Sequence, residues 1–170
     1  MNKAQSWERT GILDTPREYS SSPCSMHEVD PSYLGYWSRA EVVAFLKSLL
    51  EQERIGTKAF ADIGYAANLR VADLTLESEL DQGSICILLE SEIAKKGAVV
   101  PARRKRPIHE RRVRFTLEQA VASAISNQAD LLQTIEGAIR NIFDSELNSL
   151  LVMMIHLHRK QIAQLEIPRA

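Results

Sequence analysis

The chain reads as an all-α protein, a ferritin-like antiparallel four-helix bundle with an extended N-terminal arm. Three observations predict this. Four segments carry apolar residues at the 3-4 spacing of bundle helices, at about residues 39–66, 69–96, 117–143 and 146–166. No period-2 segment is long enough to compete, RRVRF at 111–115 being the nearest. The joints between segments are short, long and short, the hairpin–crossover–hairpin order of ferritin-like bundles.

The first helix begins at Ser38, where Ser38 and Glu41 have the spacing of a capping box and Trp37 and Val42 that of a hydrophobic staple. Its stripe is Val42, Leu46, Leu49, Phe60 and Ile63, with Glu53 and Gly56 at the intervening core positions. The second stripe runs Leu69, Ala72, Leu76, Glu79, Gly83, Cys86, Glu90, Ile93, and Gly97 is the expected stop. Thr116 and Gln119 form a second capping box ahead of Leu117, Val121, Ala124, Gln128, Leu131, Ile135, Ile139 and Ile142. After a break at Asp144–Ser145 the fourth stripe is Leu147, Leu151, Met154, His158, Gln161, Leu165, ended by Pro168. The 19 residues from 97 to 115 can span at most roughly 60 Å, enough to run the length of the bundle.

A chain of 170 residues fits one domain, here an arm at 1–37 and a bundle at 38–170. A hydrophobic share of 45% is ordinary for a soluble protein, and LLVMMI at 150–155 is too short to span a bilayer. Cys24 and Cys86 are far apart and the first residues lack an apolar signal core, so a cytoplasmic location is expected.

Each stripe has one polar interruption near mid-length: Glu53, Glu79, Gln128 and His158. Buried carboxylates survive when paired, hydrogen-bonded or bound to metal. Carboxylate-bridged di-iron and di-manganese bundles place a Glu on each of two helices and a Glu-x-x-His on each of the other two. Here Glu53, Glu79 and His158 match, with Gln82 and Gln128 as supports. Gln82 stands where a His is wanted, Gln128 where a Glu is wanted, and Ile155 three before His158. The expected ion is iron or manganese, in a reduced and even vestigial site. The plainer reading is a set of satisfied polar core residues with no ion. Gly56 and Gly83 would leave space beside the two glutamates.

The stretch from Pro23 through Cys24, Met26, His27, Glu28, Val29, Asp30, Pro31 and Tyr33 resembles the opening of a bacterial ferritin-like family distantly similar to rubrerythrins. The helix pattern that follows it in that family is matched by Leu49, Leu50, Glu51, Glu53, Arg54, Gly56, Ala59 and Phe60. The resemblance covers residues 23–60 and implies a ferritin-like bundle. It also implies an acidic residue near Asp81–Gln82 and one two before His158, where this chain has His156. Cys24, His27 and Glu28 cannot by themselves supply a tetrahedral site. Met26, Val29, Tyr33 and Trp37 are expected instead to anchor the arm along the bundle.

Residues 101–115 hold Arg103, Arg104, Lys105, Arg106, Arg111, Arg112 and Arg114 against Glu110. So many arginines favour bidentate docking to carboxylates. The single aromatic, Phe115, argues against nucleic acid. The alternative function is therefore a non-catalytic scaffold docking an acidic protein partner, or a second copy as a homodimer, through residues 103–114.

Overall fold

The computed structural model describes residues 31–66, 69–103 and 116–166. Among them are four α-helices and no strand: α1 (Arg39–Ala66), α2 (Leu69–Lys95), α3 (Leu117–Ala138) and α4 (Ser145–Glu166). One 3₁₀ turn, Pro31–Leu34, precedes α1, and another, Ile139–Asn141, follows α3. Residues 1–30, with the Cys24–Glu28 cluster, and 104–115, with most of the basic run, lie outside the described residues.

The helix ends follow from local chemistry. Ser38 N donates to Glu41 Oε2 at 2.8 Å, closing one half of the box that starts α1. Thr116 Oγ1 accepts from Gln119 N at 3.2 Å, and Thr116 N donates to Gln119 Oε1 at 3.0 Å, capping α3 reciprocally. Gly97 takes φ +65°, a left-handed value that favours glycine, and ends α2 with Ala98 N donating to Ile93 O at 3.2 Å. The third helix stops at Ala138, short of the 143 read from the sequence. Ile142 turns extended, and its carbonyl accepts from Asn148 Nδ2 at 2.9 Å.

Asp144 caps α4, its Oδ1 accepting from Glu146 N at 3.1 Å and Leu147 N at 3.0 Å. Its Oδ2 meets Lys96 Nζ at 2.7 Å. Burial raises its carboxyl pKa, but Lys96 and the two N–H donors outweigh that and hold it below the usual carboxylate range. A depressed carboxylate stabilises the fold above its unfolded pKa, and that contribution is lost as pH falls through the folded value. Asp144→Ala should therefore cost about 0.5–2 kcal/mol at neutral pH. The deficit should shrink on acidification, as read by urea denaturation at pH 7 and at pH 3.

Cross-helix contacts set α1 antiparallel to α2 and to α3. Arg54 on α1 meets Glu90 on α2 at 2.9 Å, while Arg39 at the start of α1 bonds the Lys96 carbonyl just past α2. Trp37 N donates to Asn141 O at 2.7 Å, tying the start of α1 to the end of α3. Arg159 on α4 meets Glu136 on α3 at 2.6 Å, and Lys160 on α4 meets Glu77 on α2 at 3.3 Å. Beyond Gly97, Ala98 and Val100 pack on the core, and Pro101 O accepts from Arg54 Nη2 at 3.0 Å.

The apolar interior has two parts. The larger includes Leu46, Leu49 and Leu50 of α1, Ile85 and Leu89 of α2, Leu131 and Ile135 of α3, and Leu147, Leu151 and Met154 of α4. The smaller gathers Phe60, Ile63, Ala120, Ala124 and Leu165 at the other end. Each fully buried aliphatic side chain contributes about 1.5–3 kcal/mol. Between the two parts lies a polar layer.

The expected stripes of α1 and α4 are buried as read, but α2 is turned. Its buried seam is Thr75, Ser78, Gln82, Ile85, Cys86, Leu89, Glu92 and Ile93, whereas Leu76 is 52% exposed. Periodicity follows apolar residues, and half of this seam is polar. Leu80 and Ile87 consequently face solvent. Tyr33 is also exposed, at 86%, and does not anchor the arm; Trp37 packs on Phe45 with ring centroids 5.4 Å apart.

Candidate functional site

The polar layer is built from one or two residues of each helix: Glu53 of α1, Gln82 of α2, Gln128 of α3, and His158 and Gln161 of α4, all at most 1% exposed. Three of these are residues that the sequence marked as stripe interruptions. Gln82 takes the place given to Glu79, because the turn of α2 puts Gln82 on the seam. Glu79 is only half-buried and bonds none of the layer residues. Gly83 likewise opens no space beside a core carboxylate, since a Cβ there would meet nothing within 4 Å. Gln161, read from the sequence only as part of a stripe, joins the layer. His156 is exposed, as its two-residue offset from His158 requires.

Gln128 Oε1 lies 2.6 Å from His158 Nδ1 and fixes the ring. If Nδ1 carries the proton and donates to that oxygen, the Nε2 lone pair of a neutral imidazole faces Glu53. Such an outer hydrogen bond is how a ligating histidine is commonly oriented. Glu53 Oε1 lies 3.0 Å from Nε2, within ion-pair distance, although no hydrogen bond of good direction joins the two atoms. The distance is short enough, so the direction is wrong for a ring N–H. Two ligands bound cis to one ion by bonds of about 2.1 Å would stand about 3 Å apart.

The other carboxylate oxygen repeats the pattern. Gln82 Nε2 donates to Gln128 Oε1 and Gln161 Oε1, both at 3.1 Å. Its Oε1 then faces Glu53 Oε2 at 2.7 Å, oxygen against oxygen. The opposite orientation of the amide satisfies both groups. With the amide turned over, its nitrogen donates to Glu53 Oε2 at 2.7 Å and to the Glu53 carbonyl at 3.2 Å, while its oxygen faces Gln128 Nε2 at 3.1 Å. An ionised Glu53 is then held with no ion present. Burial pushes the Glu53 carboxyl above the usual carboxylate range, against the pull of His158.

Small residues let the layer close. A Cβ on Gly56 would stand 2.5 Å from Gln82 Oε1, 2.8 Å from Asn127 Oδ1 and 3.2 Å from Gln128 Nε2. The glycine therefore admits three amides against the α1 backbone. Nothing in the apolar pattern marks Asn127, and only its adjacency to Gln128 hinted at it.

Among the described residues, no three His, Cys, Asp or Glu side chains stand together to hold an ion. Any ion here would need amide oxygens beside Glu53 and His158. One carboxylate and one imidazole suit a single borderline or hard divalent ion; they do not suit the two ions of a carboxylate-bridged pair. Arg103 of the basic run is exposed, and the other six basic residues are outside the described part. Among the described residues no helix is long and apolar enough to cross a membrane. In comparison with known proteins, no family model, no curated protein and no solved structure matches the chain.

Proposed function

We propose that the chain is a ferritin-like bundle whose core binds one divalent ion, iron or manganese, through Glu53 and His158. Gln82 contributes an amide oxygen, and Gln128 orients the imidazole. The antiparallel pairings, with α2 ending and α3 beginning at opposite ends, support the crossover topology. The observation that carries the metal reading is the fully buried pair Glu53 Oε1 and His158 Nε2, 3.0 Å apart with no well-directed hydrogen bond between them. A bound iron or manganese ion would supply one-electron redox chemistry in a site walled by apolar side chains.

The competing reading is a scaffold with a self-satisfied polar layer, docking an acidic partner or a second copy through Arg103 and the arginines that follow it. The turned-over Gln82 amide favours it, because that arrangement needs no cation. Elemental analysis after anaerobic loading with Fe(II) or Mn(II) separates the two. The metal reading expects about one equivalent in the wild type and loss in His158→Ala. Below roughly a tenth of an equivalent in the loaded wild type, the metal reading fails and the scaffold stands.

A further inference from the structure

We infer that the solvent-facing stripe of α2 built from Leu76, Leu80, Gly83 and Ile87 is a docking surface for the chain's own basic segment, residues 104–115. The inference needs no ion in the core and stands apart from the metal reading. The four positions follow one another at the 4-3-4 spacing of a single helical stripe. Leu80 is 64% exposed and Ile87 68%, and a Cβ on Gly83 would meet nothing within 4 Å. The helix is thus apolar on a second face besides its buried seam. Contiguous exposed apolar rows of this kind mark interaction surfaces.

Charge and chain path select the occupant. Between Arg70 and Lys95 the α2 sequence carries Asp73, Glu77, Glu79, Asp81, Glu90 and Glu92 and no basic residue. A second copy's α2 laid on this stripe would bring like charges together, which disfavours it. Residues 104–115 hold six Lys and Arg against one Glu, with Ile108, Val113 and Phe115 as apolar counterparts for the leucines. Arg54 fixes where the segment sets out, because its Nη2 meets both Glu90 of α2 at 2.9 Å and the Pro101 carbonyl at 3.0 Å. Glu90 stands seven residues after Gly83, on the α1-facing flank of the stripe. The segment must finish at Thr116, which caps α3. Ala120 and Ala124 of α3 pack with Phe60 and Ile63 near the end of α1, and a Cβ on Gly64 would stand 3.4 Å from Thr75 of α2. The way from Pro101 to Thr116 therefore follows the direction Ile87, Leu80, Leu76. From Glu90 to Leu76 the helix rises roughly 20 Å, and the twelve residues 104–115 reach up to about 40 Å. Glu79 borders the same stripe, half-buried and with no Lys or Arg partner among the described residues, and suits an arginine. An acidic partner would have to compete with α2 for these arginines.

The test is limited trypsin digestion of the full chain, read by mass spectrometry at Arg104, Lys105, Arg111 and Arg112, beside a synthetic peptide of residues 101–116. The docked segment should be cut at least about tenfold more slowly than the free peptide. Leu80→Ser combined with Ile87→Ser changes only exposed side chains, so circular dichroism should show the helices intact. Cleavage in that variant should rise to within about threefold of the peptide. Glu79→Lys, which leaves the leucines in place, should raise cleavage about threefold or more. No change there would remove the charge argument and with it this occupant. Wild-type cleavage at the peptide's rate would overturn the docking, and so would a segment that stays protected in the double variant. Protection that disappears on dilution, together with a dimer in sedimentation velocity, would give the face to a second copy and overturn it as well.

Discussion

Glu53→Gln should abolish metal binding and, in the metal-free protein, raise stability at neutral pH. Glutamine keeps the shape of the side chain and can hydrogen-bond Gln82. It cannot supply the anionic oxygen that a divalent ion needs. Metal content should fall from about one equivalent to below a tenth. The stability change follows from burial, which holds the Glu53 carboxyl above its ordinary value against the pull of His158. Between the unfolded and folded pKa values the native state then binds more protons than the unfolded chain. Wild-type stability therefore falls as pH rises from about 4.3 through the folded value. The substituted amide does not titrate and lacks this fall. The two apo proteins should melt together near the acid end, and the variant should melt higher at pH 8. Retained metal would remove Glu53 from the site. A variant that melts lower at pH 8 would show that the carboxylate is net stabilising.

The second large effect separates single from collective replacement of the layer. Gln128→Leu removes the partner of His158 Nδ1 and one partner of Gln82. Each orphaned buried group costs about 1–3 kcal/mol, so the single variant should be clearly destabilised. Replacing Glu53, Gln82, Gln128, His158 and Gln161 together by leucine orphans none of them and joins the two apolar clusters into one. By analogy with buried ionic clusters exchanged for apolar side chains, the fivefold variant should be as stable as wild type or more stable by about 1–4 kcal/mol. It should bind no metal. Urea midpoints and metal content of the two variants check this. A fivefold variant less stable than Gln128→Leu would mean that the layer is structural, and its presence would need no ligand to explain it.

The leucine series also bears on why the layer is there. A bundle with this much aliphatic core does not need five buried polar side chains to fold. The five lie near mid-length with Gly56 beside them. The same pattern limits what the site can be, since only one of the five side chains is a carboxylate.

Much of this was legible in the sequence because it is local. Ser38 with Glu41, Thr116 with Gln119, and Gly97 set helix ends through contacts three to five residues apart, and side-chain type alone announces them. The stripes of α1 and α4 were legible because their buried positions are mostly apolar, so that Glu53 and His158 stood out as interruptions. The face of α2 was not. Thr75, Ser78 and Gln82 are buried against other helices, while Leu76 and Leu80 are left outside, and hydrophobic periodicity reads that arrangement one position off. Glu79 was thereby read at the position where Ser78 is buried, and Gln82, read only as a support, is the α2 residue in the layer. The sequence by itself determined four amphipathic segments, their caps and the residue types available to a core site. Only the tertiary structure decided which α2 residue enters the layer, that Gln161 and Asn127 join it, and that Glu53 and His158 meet at 3.0 Å. The reason is physical: a polar side chain is buried when partners on other helices satisfy it, and those partners lie 30 to 105 residues away in the chain.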